Sequence, residues 1–111
     1  MKDNMKLKDK PFNSIKNGTK TIELRLFDEK RQLLHEKDLI EFTNIETNEK
    51  LLVEVKGLYK YPSFTELYKH FDKVDMGYNA NEEASPEDMN NYYSKEEQEK
   101  YGVVGIKIKK V

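Results

Sequence analysis

The feature that most limits the fold is one long alternation, Lys50 to Tyr61, in which Leu51, Val53, Val55, Tyr59 and Tyr61 share a row that Gly57 interrupts. Period two over such a stretch predicts a single long strand with one apolar face. A glycine inside the row predicts a bulge or bend, the device by which small barrels turn their corners.

The other elements fall around that strand. Residues 1–10 are lysine-rich, with Met5 and Leu7 interspersed, and suit either a loose terminus or a first edge strand. Pro11, Phe12, Ile15 and the closing Asn17-Gly18 predict a helix of about two turns that starts at Pro11 and buries Phe12 and Ile15. Strands are predicted over Thr19–Phe27 and Asp38–Thr43, separated by the charged connection Asp28–Gln32. Pro62-Ser63-Phe64-Thr65-Glu66 reads as a helix start with a capping box. Its Ser63 caps the Glu66 N–H, the Glu66 carboxylate returns to Ser63, and Phe64, Leu67, Tyr68 and Phe71 form a core stripe. Asp72 to Ala84 has no periodicity and suits a lid or a mobile loop. A second helix is predicted from Ser85-Pro86, carrying Met89, Tyr92 and Tyr93, and a third from a capping box at Ser94 and Glu97, stopped by Gly102. Val103 to Val111 closes the chain as a strand with a basic outer row. The expected architecture is α+β, a small mixed β-barrel with flanking short helices, formed by one domain over residues 1–111.

Composition narrows the chemistry. With 111 residues there is room for one modest core, and the absence of cysteine removes disulfides, thiolate metal sites and cysteine nucleophiles. His35 and His70 are far apart without ligand or triad spacing, so neither a metal nor a cofactor is expected. No apolar run has the length of a membrane span, and no apolar signal segment follows Met1, which makes a cytoplasmic location the default expectation. The net charge of −1 conceals a segregation: residues 1–31 carry +4 and the last ten residues +3, while residues 62–101 carry −6. If the two basic ends meet in space they form a mildly basic face able to approach phosphate, although a strong duplex binder would be more basic.

Candidate chemistry concentrates in Gly18 to Leu26. Strand periodicity would place Lys20, Ile22, Leu24 and Leu26 on one face and Thr21, Glu23, Arg25 and Phe27 on the other. A lysine heading an apolar row is costly to bury unless it finds a partner, whereas charges alternating with Ile and Leu are also what a half-exposed antiparallel strand shows. Pattern alone therefore leaves both readings open. Lys30 and Arg31 can touch phosphate or belong to a solvated loop, and Tyr59, Tyr61 and Tyr78 can stack on a base or pack in the barrel.

Gly18, Lys20, Glu23 and Arg25, as G-x-K-x-x-E-x-R, together with Phe12, Ile15, Asp38 to Phe42, the Phe64 region and Tyr101 to Val104, resemble the ASCH domain, a branch of the PUA-like superfold. The family usually has Gly-Asp before the second strand; here Lys37-Asp38 stands in its place. The resemblance implies a PUA-like barrel and a cleft whose ligand-binding residues would be Lys20, Glu23 and Arg25; stacking chemistry adds Tyr61 as a candidate ligand-binding surface. Single-stranded RNA or a modified nucleoside is the implied partner. An alternative is an amidohydrolase acting on N4-acylated cytidine, with Lys20 and Glu23 catalytic; the threonine that chemistry uses is replaced here by Glu23. A metal-independent ribonuclease is a third reading.

Overall fold

The computed structural model describes residues 2–111 and shows an α+β fold, a five-stranded sheet curled into a half-barrel with short helices packed on it. Its strands are β1 (Lys2–Leu7), β2 (Ile22–Leu26), β3 (Leu39–Asn44), β4 (Lys50–Tyr61) and β5 (Val103–Lys110), in the spatial order β1-β3-β4-β5-β2. β1 lies parallel to β3, and every other pairing is antiparallel. The lysine-rich start of the chain is thus an edge strand. Its Asp3, Met5 and Leu7 point inward and its lysines outward.

β4 is the spine of the sheet and has the predicted bounds. Its pairing with β5 slips between Val55 and Gly57, so Val55 faces Ile108 while Gly57 faces Lys107. That irregularity is the bulge which the interrupted row predicts. Beyond it Leu58, which preceding alternation would turn outward, packs against the barrel core.

The sheet is buried on both faces along the first half of β5. One core lies inside the curl, where Phe12 and Ile15 of α1 (Asp9–Lys16) meet Ile40, Phe42, Val53, Val55, Val104 and Ile106. The other lies outside, where Phe64 and Leu67 of α2 (Phe64–Tyr68) cover Ile22, Leu24, Leu26 and Val103. Full burial of Phe12 and Phe42 contributes roughly 1.5–3 kcal/mol each.

Four predicted elements are corrected. α1 begins at Asp9, placing Pro11 within the first turn, where its missing N–H is one that no helical carbonyl would have accepted. The second strand is shorter than Thr19–Phe27: Thr21 and Ile22 both donate their N–H to the carbonyl of Asp75, and Lys20 donates its own to Ser14, so strand pairing starts only at Ile22. The helix expected after Ser85 is a 3-10 turn, Pro86–Asn91, capped by the Ser85 hydroxyl. Of the two capping boxes, that of α3 (Lys95–Tyr101) is complete, whereas the Glu66 carboxylate of α2 turns to Lys69 and leaves Ser63 capping alone. At the Lys37-Asp38 departure, Lys37 has φ 74°, the left-handed conformation that a glycine takes without strain. The turn keeps its shape despite the side chain.

Candidate functional site

The two edge strands of the half-barrel, β1 and β2, do not pair with each other. Side chains bridge the seam instead. Arg25 of β2 donates through Nη2 to the carbonyl of Lys6 at 3.0 Å, and Lys30 reaches the carbonyl of Asn4 and the Asp3 carboxylate. Above this seam opens a cleft of about 570 Å³. Its floor is Lys20, Glu23 and Arg25; one wall is β1 and the start of α1; the other is the segment from Met76 to Tyr93.

Glu23 sits at the centre of the floor, 5% exposed. Its Oε2 accepts from Arg25 Nε at 2.7 Å and its Oε1 lies 3.3 Å from Lys20 Nζ. The expectation that Lys20 and Glu23 face opposite ways is overturned, because Lys20 precedes the regular strand and its side chain curls back toward Glu23. Lys20 Nζ also donates to the carbonyls of Ile22 and Met76, both at 2.8 Å. Three acceptors surround an ammonium with three protons.

Burial opposes each of these charges, and the outcome differs. For Glu23, desolvation is outweighed by Arg25 and Lys20 together, which hold the carboxyl below its ordinary range. For Lys20, desolvation outweighs the pull of Glu23, and the amine binds its proton less tightly than a free lysine. For Arg25, desolvation is outweighed by Glu23 together with Tyr93 and Asp3, so its guanidinium stays charged. The floor therefore carries two cations and one anion, and both oxygens of that anion are occupied. Each oxygen has a second lone pair, so the carboxylate keeps acceptor capacity beside the two cations.

The walls differ in charge. Lys6, Lys8 and Lys10 project from the β1 side, and Glu82 and Asp88 from the opposite one. Lys10 is paired with Glu82 at 3.1 Å, while the ammonium of Lys8 lies 5.7 Å from the ring centre of Tyr92. Four tyrosines, Tyr68, Tyr78, Tyr92 and Tyr93, line the acidic side. The Tyr78 hydroxyl donates to Asp88 at 2.7 Å and meets the Tyr68 hydroxyl at 2.9 Å; desolvation first, and then these partners, push its ionisation upward. Tyr92 remains 61% exposed, a ring with an open face.

Of Tyr59, Tyr61 and Tyr78, the tyrosines read from sequence as stacking surfaces, Tyr78 alone lines the cleft. Tyr61 does not: its ring stacks on His70 with centroids 4.9 Å apart and meets Phe71 edge-on, on the face of β4 that the chain after α2 covers. Tyr59 contacts Phe71 in the same region. Lys30 and Arg31 are tied to Asp3 and Asp28. The residues missed, Lys6, Lys8, Tyr92 and Tyr93, come from a terminus and a tyrosine pair whose facing positions no local pattern encodes. Their only advance signal is the segregation of basic ends from an acidic, tyrosine-bearing block.

The family model for the ASCH domain matches residues 5–111. Among solved structures the chain is similar to the hypothetical protein PH0355, with 35% identity, 100% of both chains covered and a TM-score of 0.84. It is also similar to protein PF0455 from Pyrococcus furiosus, at 33% identity over 100% of this chain and 98% of that one, with a TM-score of 0.72. The ASCH domain from Lactobacillus crispatus JV V101 shares the fold at 15% identity, covering 97% of this chain and 79% of its own, with a TM-score of 0.63. No curated protein matches.

Proposed function

This chain belongs to the ASCH domain family, generally thought to bind RNA, and from that premise we propose that the cleft above the β1–β2 seam binds single-stranded RNA or a nucleotide. The observation that carries the proposal is the meeting, in one cleft, of a basic edge strand, a partly unclaimed arginine fork and the exposed ring of Tyr92 beside the half-buried Tyr93. Arg25 spends Nε on Glu23 and one Nη2 donor on Lys6; its remaining donors are unclaimed among the described residues. An arginine held in this way suits a phosphate oxygen or a base edge. Phosphate belongs on the side of Lys6 and Lys8, because Asp88 and Glu82 repel it from the other. A base then lies against Tyr92 or Tyr93, where stacking contributes roughly 1–3 kcal/mol per base.

The amidohydrolase reading on N4-acylated cytidine draws support from the lowered proton affinity of Lys20 next to Glu23. Against it stands the occupancy of the amine: all of its protons are directed at protein acceptors, and a base or nucleophile needs a lone pair facing substrate. The same occupancy weakens the ribonuclease reading, in which Lys20 would have to stabilise a phosphorane.

The test is an amide NMR titration with a short single-stranded RNA and, separately, with N4-acetylcytidine. Binding to RNA should shift Leu7, Arg25 and Tyr92, and Lys8→Ala with Lys6→Ala should weaken it, reducing the salt slope by about 0.7 for each phosphate contact removed. Turnover of N4-acetylcytidine to cytidine would replace the binding reading with the enzymatic one, and silence toward both compounds would refute the cleft as a nucleotide site.

A further inference from the structure

Lys20 is the most deeply buried amine in the cleft, yet its partners lie in the protein. Two of its three acceptors are backbone carbonyls, and one of these, Met76 O, belongs to the wall opposite β1. The neighbouring backbone repeats the connection: Thr21 and Ile22 both donate to Asp75 O at 2.9 Å. Gly77 completes the fit. Its φ of 108° disfavours any side chain, and a Cβ there would stand 3.0 Å from Lys20 Cδ and 3.4 Å from Nζ. The wall is thus packed directly on the lysine stem. Further along, Lys73 Nζ donates to Glu82 O at 2.6 Å, and the Tyr78 hydroxyl is fastened to Asp88. The irregular segment after Asp72 is therefore a strap tied to the barrel at its Asp75–Met76 end, and its other hydrogen bonds run within residues 72–88, to Lys10 and to Tyr68.

We infer that Lys20 is a positioning residue: its ammonium pins the Asp75–Tyr78 wall to the start of β2, fixing the width of the cleft and the place of Tyr78, without itself contacting the ligand. The inference rests on the binding reading only for its consequence on affinity; the pinning can be measured in the free protein. It also assigns the motif distinct tasks. Arg25 offers donors to the ligand, Glu23 holds the two cations, and Lys20 holds the wall.

Hydrogen exchange and RNA binding on wild type, Lys20→Met and Gly77→Ala separate this role from a direct one. Lys20→Met keeps the length of the stem and leaves Glu23 paired with Arg25. Amide exchange at Met76, Gly77 and Tyr78 should accelerate roughly ten- to hundredfold, the loss expected for one charge-assisted hydrogen bond, while Val53 and Val55 in the barrel stay protected. Affinity for a short single-stranded RNA should fall, with the slope of log affinity against log salt unchanged, because no phosphate contact has been removed. Gly77→Ala, with the lysine intact, should reproduce both effects, and the two substitutions together should be less than additive. If Lys20→Met does not fold, Lys20→Gln takes its place, because Gly77→Ala also strains the backbone at its positive φ and cannot decide alone. Unaltered exchange in the wall, or a salt slope reduced by about 0.7, overturns the positioning role. If wild type binds no RNA at all, the proposed function fails, and the exchange rates still decide whether Lys20 pins the wall.

Discussion

Replacing Glu23 by Gln tests the electrostatic account of the cleft floor most directly. The carboxylate is 5% exposed and shared by two cations, at 2.7 Å from Arg25 and 3.3 Å from Lys20. Glutamine keeps the volume and one acceptor but removes the charge, so both cations lose the partner that offsets their desolvation. Breaking a buried ion pair by altering one member costs about 3–5 kcal/mol. For a chain of 111 residues the unfolding entropy is about 230 cal/mol/K, so each kcal/mol lowers the melting temperature by about 4 °C and the expected drop is about 13–21 °C at pH 7. The sign with pH is also fixed. Because the folded pKa of Glu23 is depressed, its contribution is complete above the ordinary glutamate pKa and is lost as pH falls through the folded value. Calorimetric melting curves should therefore show wild type and Glu23→Gln converging as the solution is acidified below pH ~4. As a control, Glu41→Gln on the largely exposed Lys2–Glu41 pair should change stability by less than about 1 kcal/mol. A Glu23→Gln melting point within about 2 °C of wild type at pH 7, or a gap that widens in acid, would refute the claim that this carboxylate stabilises the floor.

Three further outcomes follow from the geometry. Glu97→Ala should cost about 0.5–1 kcal/mol in thermal unfolding because it dismantles a complete capping box, whereas Glu66→Ala should stay within about 0.5 kcal/mol, its carboxylate being engaged on the surface with Lys69. Lys37→Gly should hold or raise the melting temperature, since it relieves a positive φ worth about 1 kcal/mol; a clear drop would show that the lysine side chain contributes something that outweighs the strain. Phe42→Ala, at a fully buried site in the barrel, should destabilise by about 3–5 kcal/mol in denaturant titration with little change in the cleft's amide shifts.

The barrel core and the chemical content of the site have different origins. Alternation in β4, the Phe64–Leu67 stripe and the glycine at position 57 are local patterns, and each translates into a strand, a helix face or a bulge because side-chain direction follows backbone period. The motif from Gly18 to Arg25 is likewise legible as a cluster of charges next to apolar residues. The sequence by itself determined that a cluster of charges stands between Gly18 and Arg25 and that a curved, mixed sheet with short helices would hold it. Only the tertiary structure decided how they are used. Lys20 leaves the strand period because the backbone at Thr21 and Ile22 bonds to Asp75, far along the chain, and that single departure brings it onto Glu23 instead of the opposite face. Likewise Tyr61 lies on the face with His70 and Phe71, while Lys8 and Tyr92, distant in sequence, meet across the cleft. Period is a local property of the chain; proximity between segments is fixed by the closure of the sheet and by the long-range hydrogen bonds that hold it.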